Sequence, residues 1–559
     1  MRLLLLCVLM VFCFSRHNSL QAQYLPQHIN NEGIYDFLDE MANLQLITLA
    51  SVARPYSHAM IRDKLDQVGN SRFVLTSRQR YMFNLYRLHY SPRGGMSPWP
   101  RQGLSIGSVS ALPPGYGYHD GAVHVTARPI LEGHYHSNTR GDVTHIHGGA
   151  AVTSYAGDSW SAWASLQSIR QRGEMLARPG MLHRHEGGTW AHDDIPEEES
   201  SHAYNDIRGG VAYSWGWGSV AFQKEHLTWG DHYHGPNILD MRHNHPSYPM
   251  VALQLSPGER FRFNYHHGWL NSMVVDSTSV VDFPDHPPRY DYYNKYFAAN
   301  LFTFMPLEGL HLSAGNSIVY SAGNMYIGNF IPFMVFRAME PTQAASEGVL
   351  NNPSAFINIS SRQIKHLHLY ASWYANSFKF ERLGDSERRN FTSAKGGFRL
   401  SGWPIANTDI TLEYTRTLPK TYDHRTPIIT YEHKDFSLGH YLGPNATDLY
   451  ASIGVKPVGG LEVRLCYNDA QKGNLYPHVY GGAQDTDPFM EEVVWRNRTF
   501  SLEARYTLYN NIGVYARVRH TNVEGFDVDD YSAREYLDMF SPDFYHGETT
   551  TLSFGIYLR

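Results

Sequence analysis

Thirty-one histidines are spread over this 559-residue chain, and six pairs have His-x-His spacing: His134/His136, His145/His147, His183/His185, His232/His234, His243/His245 and His366/His368. In a strand, residues i and i+2 share a face, so each pair could offer two imidazoles to one metal ion. A structural or catalytic metal needs a third and usually a fourth ligand at defined spacing, and none accompanies any pair. The sequence therefore predicts no metal site and no cofactor. The acidic run Asp193, Asp194, Glu197, Glu198 and Glu199 reads as a solvated loop, as blocks of like charge usually do, rather than as a calcium site.

Catalytic motifs are equally sparse. There is no Gly-x-Ser-x-Gly elbow, no Walker loop and no paired zinc-type cysteine motif, so no catalytic residue is assigned and a non-enzymatic role is expected. A Ser and a His brought together on facing strands would escape this reading, which keeps an outer-membrane lipid or glycan hydrolase as one alternative. Sugar recognition needs aromatic faces beside short polar or charged groups. Trp215, Trp217, Trp229, Asp231, Asn237, Arg242 and Asn244 supply those types within one stretch; for each tryptophan singly, a membrane-interface girdle is the simpler role.

Two kinds of element must position these groups. Residues 30–92 read as helices. Ile34, Phe37, Leu38, Met41 and Leu44 recur at helical spacing with Asp36, Asp39 and Glu40 between them, a second helix follows Ser57 as N-cap, and a third opens on the capping-box pattern Thr76-Ser77-Arg78-Gln79. After about residue 103 the hydrophobic period changes from 3.6 to 2. Phe500, Leu502, Ala504, Tyr506 and Leu508 alternate with Ser501, Glu503, Arg505 and Thr507, and the pattern resumes at Ile512 after a turn at Tyr509-Asn510-Asn511. A second hairpin pairs Leu449–Val455 with Leu461–Tyr467 across Pro457-Val458-Gly459-Gly460. Further strands are expected at 122–134, 145–156, 159–169, 203–215, 218–228, 259–266, 295–304, 309–319, 364–375, 394–402 and 408–416. Tight turns at 457–460 and 509–511 alternate with long connections at 468–498 and 521–548, the rhythm of an outer-membrane barrel, and the length predicts about 16 to 18 strands. The apolar set would face lipid. The charged set, including Glu413, Glu462, Arg464, Glu503, Arg505, Arg517, Arg519, Arg260, Arg262, His366 and His368, would line the lumen.

Composition agrees: 42% apolar residues, 14% aromatics and a net charge of -6 describe a folded protein without the basic face that nucleic acid requires. Met1-Arg2 and the apolar run Leu3–Phe14 read as a secretory signal peptide over residues 1–22, cut after Ala22. Its loss removes Arg2 and Arg16 and no acid, so -6 becomes -8, and it takes Cys7 and Cys13, leaving Cys466 with no disulfide partner. No later segment is apolar and long enough for a membrane helix.

The chain resembles the Wzi-type capsule assembly proteins. The resemblance rests on Ile34-Tyr35-Asp36-Phe37-Leu38-Asp39, Arg54-Pro55-Tyr56-Ser57, Leu65 and Leu75-Thr76-Ser77-Arg78-Gln79 in the helical part. In the barrel it rests on Phe222-Gln223-Lys224, Leu227-Thr228-Trp229-Gly230, Gly235-Pro236, Asn237-Ile238-Leu239 and Leu442-Gly443-Pro444-Asn445-Ala446. Met241-Arg242-His243-Asn244-His245-Pro246 departs from the family's Ser-x-Asn-Ala stretch, so ligand contacts are not carried onto that loop. The resemblance implies a non-enzymatic, lectin-like barrel in the cell outer membrane that anchors or organises capsular polysaccharide, with its helical bundle in the periplasm.

The combined expectation is mainly β: a transmembrane antiparallel barrel of about 18 strands over residues 101–559, preceded by a helical bundle over 23–100. Trp229, Asp231, Asn237, Arg242, Arg260, Arg262, Arg464, Arg505, Arg517 and Arg519 are the candidate polysaccharide-binding residues. Expected partners are surface polysaccharide, outer-membrane lipid and the polysaccharide export machinery, and no nucleic acid. A porin-like channel for small solutes is the second alternative, sharing every barrel feature.

Overall fold

The computed structural model describes residues 24–90, 104–106, 109–112, 115–120, 123–173, 201–243, 245–279, 281–283, 286–289, 291–339, 349–377, 380–382, 390–478, 486–509 and 512–558. The expected signal peptide, His183/His185, the acidic run at 193–199, Asn244 and the centre of the 509–511 turn lie outside the described residues.

Eighteen antiparallel strands close into one barrel. They are β1 Val123–Asn138, β2 Gly141–Ala156, β3 Trp160–Arg172, β4 Ser201–Trp215, β5 Gly218–Glu225 and β6 Tyr248–Gly258. Next come β7 Phe261–Val275, β8 Tyr292–Leu307, β9 Leu310–Ser321, β10 Leu350–Ser361, β11 Leu367–Ser377 and β12 Phe391–Ser401. The last six are β13 Thr408–Thr417, β14 Ala446–Val455, β15 Leu461–Gly473, β16 Val493–Tyr509, β17 Ile512–Gly525 and β18 Gly547–Leu558. Pairing of β18 with β1, from Leu558↔Leu131 to Leu552↔Ser137, closes the ring. A meander of short strands, Leu104–Ile106, Val109–Leu112 and Gly115–Asp120, pairs onto the start of β1.

The wall is inverted relative to a water-soluble sandwich. Along β18, Leu552, Phe554 and Ile556 are 46%, 55% and 60% exposed, while Thr551 and Ser553, of the opposite parity, are 1% exposed. Apolar side chains therefore form the outer surface and polar ones the inner. That arrangement is stable in a bilayer, where closure pairs every backbone group and lipid receives the apolar side chains. The two expected hairpins form, with Val455 opposite Val463 and Ser501 opposite Arg519. Strands β6 and β10 were not anticipated; each carries proline, at Pro249, Pro257 and Pro353, which weakens a strand signal.

Connections at one rim are tight, including 215–218, 258–261, 307–310 and 455–461; those at the other are long apart from the turn at 138–141. Two lumen assignments change at the tight-turn rim. Arg260 lies in the β6–β7 turn and is exposed, because β7 begins at Phe261 and not at 259. His366 sits in the β10–β11 turn with φ of 72°, so it does not share a strand face with His368; its N–H donates to the Asn43 carbonyl at 2.6 Å.

Three helices, α1 Glu32–Asn43, α2 His58–Asn70 and α3 Ser77–His89, occupy this same rim. Ser57 Oγ accepts from the Met60 N–H at 3.1 Å, and Thr76 and Gln79 complete the capping box, as the sequence patterns require. Ile34, Phe37, Leu38, Met41, Ile61, Leu65, Phe83 and Tyr86 form the helical core. A fourth helix, α4 Ala533–Phe540, packs at the opposite rim against β16 and β17.

The β5–β6 and β13–β14 connections turn inward. Ala53–Arg54, Thr228–Trp229 and Leu239–Asp240 build a three-stranded sheet inside the barrel. Its apolar core joins Trp229, Ile238, Tyr422, Tyr431 and Leu438 to the wall residues Phe297, Leu301, Phe356 and Tyr374. One side of the lumen is thereby filled.

Candidate functional site

The other side of the lumen holds a cavity of about 830 Å³ between the wall and the inward segments. Strand alternation puts every second side chain of β1–β3 and β15–β17 into it. On β1 and β2, His134 pairs in register with His145, and Glu132 with His147. Two His-x-His pairs far apart in the local pattern thus become one group. His134 Nε2 lies 3.2 Å from Glu132 Oε2, the His136 and His145 rings are 5.1 Å apart, and Gln167 lies 2.7 Å from His147 Nδ1. Over Gly555 of β18, which lies in register between them, Tyr515 Oη is 3.0 Å from His134 Nδ1.

Beside them, the guanidinium groups of Arg517, Arg505 and Arg464 are paired with acids, and that of Arg519 meets a tyrosine hydroxyl. Arg517 Nε donates to Glu503 at 2.6 Å, Arg505 lies 2.9 Å from Glu503 and 3.7 Å from Glu32 of α1, and Arg519 lies 3.4 Å from Tyr545 Oη. Arg464 pairs with Glu462 and reaches Asp36 of α1 at 3.4 Å and Asp409 at 3.6 Å. Acids of the wall and of α1 are therefore interleaved with these arginines.

The acids of α1 dock the helical segment onto the barrel. Asp36 pairs with Arg399 at 2.9 Å, Asp39 with Arg362 at 2.8 Å and Arg54 at 3.0 Å, and Glu40 with Arg78 and with Lys456 at 3.4 Å. Burial alone would raise the Asp36 and Glu40 carboxyls; Arg399 and Arg464 hold the first below the usual range, and Lys456 and Arg78 hold the second there. At Asp39 burial outweighs Arg362 and Arg54, and the carboxyl is raised.

The candidate residues divide into three groups. Arg464, Arg505, Arg517, Arg519 and Arg242 line the cavity, Arg242 holding Asp240 through two bonds of 2.8 Å. Trp229, Asp231 and Asn237 are 3%, 1% and 0% exposed within the inward segment. Trp229 packs on His266 and Phe356, Asp231 accepts from Ser51 and from Asn358, and Asn237 donates to the Ser393 carbonyl. Their polar atoms position the inner sheet, and Trp229 is not an interfacial residue. Trp217, 39% exposed beside Trp215 at the β4–β5 turn, fits the girdle instead. Arg262 contacts Met60 of α2 through its Nη1, and Arg260 stands on the rim outside the cavity. The groups that sequence reasoning passed over are Glu132, Gln167 and Tyr515, whose signal was the inward parity they share with His134 and Arg517.

Comparison with known proteins comes from sequence and from fold. The profile of the capsule assembly protein Wzi family matches residues 121–536, a span that holds the Trp229-Gly230 and Gly443-Pro444-Asn445-Ala446 motifs and excludes the helical ones. No curated protein matches the sequence. Among solved structures, Wzi of Escherichia coli, described as an outer-membrane, carbohydrate-binding β-barrel involved in group 1 capsule assembly, is similar. It has a TM-score of 0.55 and 11% identity, covering 96% of this chain and 99% of that one. OccAB2 of Acinetobacter baumannii (TM-score 0.42, 9% identity, 78% of this chain and 99% of that one) and OccK5 of Pseudomonas aeruginosa (0.40, 9%, 78% and 98%) are more distant.

Proposed function

Because this chain belongs to the Wzi capsule assembly family, we propose that it is an outer-membrane barrel that binds and organises a surface polysaccharide without catalysing a reaction on it. The observation that carries this reading is the cavity itself: imidazole, amide, guanidinium and tyrosine groups converge on one space, the mixture that holds sugar hydroxyls, acidic substituents and sugar faces. Arg517 and Arg519 would engage uronate or another acidic substituent, with Glu503 keeping Arg517 in position. Tyr515, His134 and Gln167 would exchange hydrogen bonds with hydroxyls.

The tight-turn rim would face the periplasm, as short turns do in such barrels, which puts the helical segment there and leaves its outer surface for contact with export machinery. The apolar belt would take up outer-membrane lipid. In this reading the helices are a stopper: α1 is tied to Arg362, Arg399 and Lys456 across the mouth, an arrangement that favours an anchor over a solute channel.

Deletion of the gene, with cell-bound and released polymer measured separately, tests the proposal. Polymer that is still made but shed into the medium supports it. Unchanged retention on the cell, together with open-channel conductance of the purified protein in a planar bilayer, would replace it with the channel reading.

A further inference from the structure

We propose that His28, Glu225 and His226 bind a divalent transition-metal ion of the zinc class, which clips the N-terminal segment to the barrel wall. Glu225 ends β5, His226 opens the inward connection, and His28 comes from the extended stretch before α1. His28 Nδ1 lies 3.5 Å from Glu225 Oε1, and His226 Nδ1 lies 3.7 Å from the same oxygen. One ligand atom from each residue lies within 4.8 Å of the other two. Ligands held about 2.1 Å from a tetrahedral zinc ion stand about 3.4 Å from one another, so the group needs little movement to close on an ion.

Hydrogen bonding fixes which nitrogen of His226 is available. His226 Nε2 donates to the His245 carbonyl at 2.8 Å, so in the neutral ring the proton is on Nε2 and the lone pair is on Nδ1, turned toward Glu225. A backbone carbonyl on the far nitrogen is the partner that metal-binding histidines commonly have. Nδ1 of His226 and Nδ1 of His28 are both buried without a hydrogen-bond partner, and the His226 side chain is 3% exposed. The Nδ1 lone pair of His226, Nδ1 of His28 and a Glu225 carboxylate oxygen therefore converge on one point, an arrangement that a cation completes.

The surrounding charge suits a dication. Glu225 Oε1 also accepts from Arg208 Nη1 at 3.2 Å and from the His226 N–H at 3.0 Å, and Arg208 Nε holds Asp206 at 3.0 Å. Two carboxylates against one guanidinium leave a single negative charge for the ion. All three ligands also border the cavity, which supplies an entry path. The neighbouring group Glu132, His134 and His147 differs, because Tyr515 and Gln167 already engage its imidazoles; at Asp538, Asp543 and His546, Arg534 occupies both carboxylates.

The test uses tag-free, full-length protein in detergent, stripped with chelator and titrated with ZnCl₂ by calorimetry, then with Co²⁺ by visible absorption. One ion per chain is expected, with d–d bands of a low-coordinate nitrogen/oxygen site. His28→Gln and His226→Gln should each weaken binding by more than about 100-fold, while His134→Gln leaves it unchanged. If either His variant fails to migrate as a folded barrel in unheated gels, a zinc-dependent rise in the wild-type unfolding temperature that is absent in Glu225→Gln decides the matter. No stoichiometric binding by the wild type would overturn the proposal, as would binding lost in His134→Gln and kept in His226→Gln.

Discussion

Arg362 is the place to test whether the helical segment is an integral part of the barrel. Its guanidinium, 3% exposed in the β10–β11 turn, donates to Asn43 Oδ1 at 2.8 Å, Asp39 Oδ1 at 2.8 Å, Ser51 Oγ at 2.9 Å and the Leu49 carbonyl at 3.2 Å. Every one of those acceptors belongs to the helical segment or the chain just after α1. Arg362→Met keeps the stem's packing and removes these four bonds, together with those to His368 and Ser360 of the barrel, leaving Asp39 paired with Arg54. Removal of one partner from a buried pair costs about 3–5 kcal/mol, which lowers the docking equilibrium by about 150- to 4000-fold. The assay is limited trypsin digestion in detergent, read as the rate of cleavage within residues 24–90 while the barrel stays resistant, alongside bilayer conductance. Faster cleavage and the appearance of conducting events are expected. The double variant Asp39→Asn/Arg362→Met should lose less than the sum of the two single losses, because the second change no longer strands a charge. A single variant as resistant and as silent as wild type would refute the view that these contacts hold the stopper in place.

Three further outcomes follow from the same structure. Arg517→Gln combined with Arg519→Gln should weaken binding of a uronate-containing polymer by at least about tenfold, with little change for a neutral glycan, since each charge-assisted bond contributes about 1.5–3 kcal/mol; glycan-array binding compares the two. Glu40 has a depressed folded-state carboxyl, so its stabilisation is fully present above the ordinary carboxylate pKa of about 4.3 and is lost as pH falls through the lower folded value. Trypsin-independent release of the helices, followed by a fluorophore on α3, should therefore begin only below about pH 4.3 and should begin at higher pH in Lys456→Met; release near neutral pH would contradict it. At Gly439 a Cβ would overlap the Tyr422 ring, which is packed against Tyr374 and Tyr431 and has no room to yield. Gly439→Ala should cost about 1–3 kcal/mol, seen as a lower unfolding temperature by circular dichroism.

The barrel was legible because its signal is local. Period-2 alternation tells which side chains share a face without reference to any other strand, and the inversion of that pattern in space, apolar out and polar in, follows once the sheet closes. Helix starts at Ser57 and Thr76 were legible for the same reason: a cap satisfies N–H groups only two or three residues away. Strands β6 and β10 were harder because proline masks alternation that their partners still enforce.

What the sequence by itself determined, then, was the wall: strand parity, the helical segment and family membership through motifs such as Trp229-Gly230 and Gly443-Pro444. Only the tertiary structure decided which long connections turn inward, and with them the fates of Trp229, Asp231 and Asn237, because a polar, glycine- and aromatic-containing loop reads the same whether it meets solvent or folds back into a lumen. The arginines make the same point. Arg464 and Arg505 read as free positive charges for an acidic polymer, yet they meet Asp36 and Glu32 from a helix more than 400 residues earlier in the chain. Charge pairing acts through space over a few ångströms, and no local pattern in the sequence carries it.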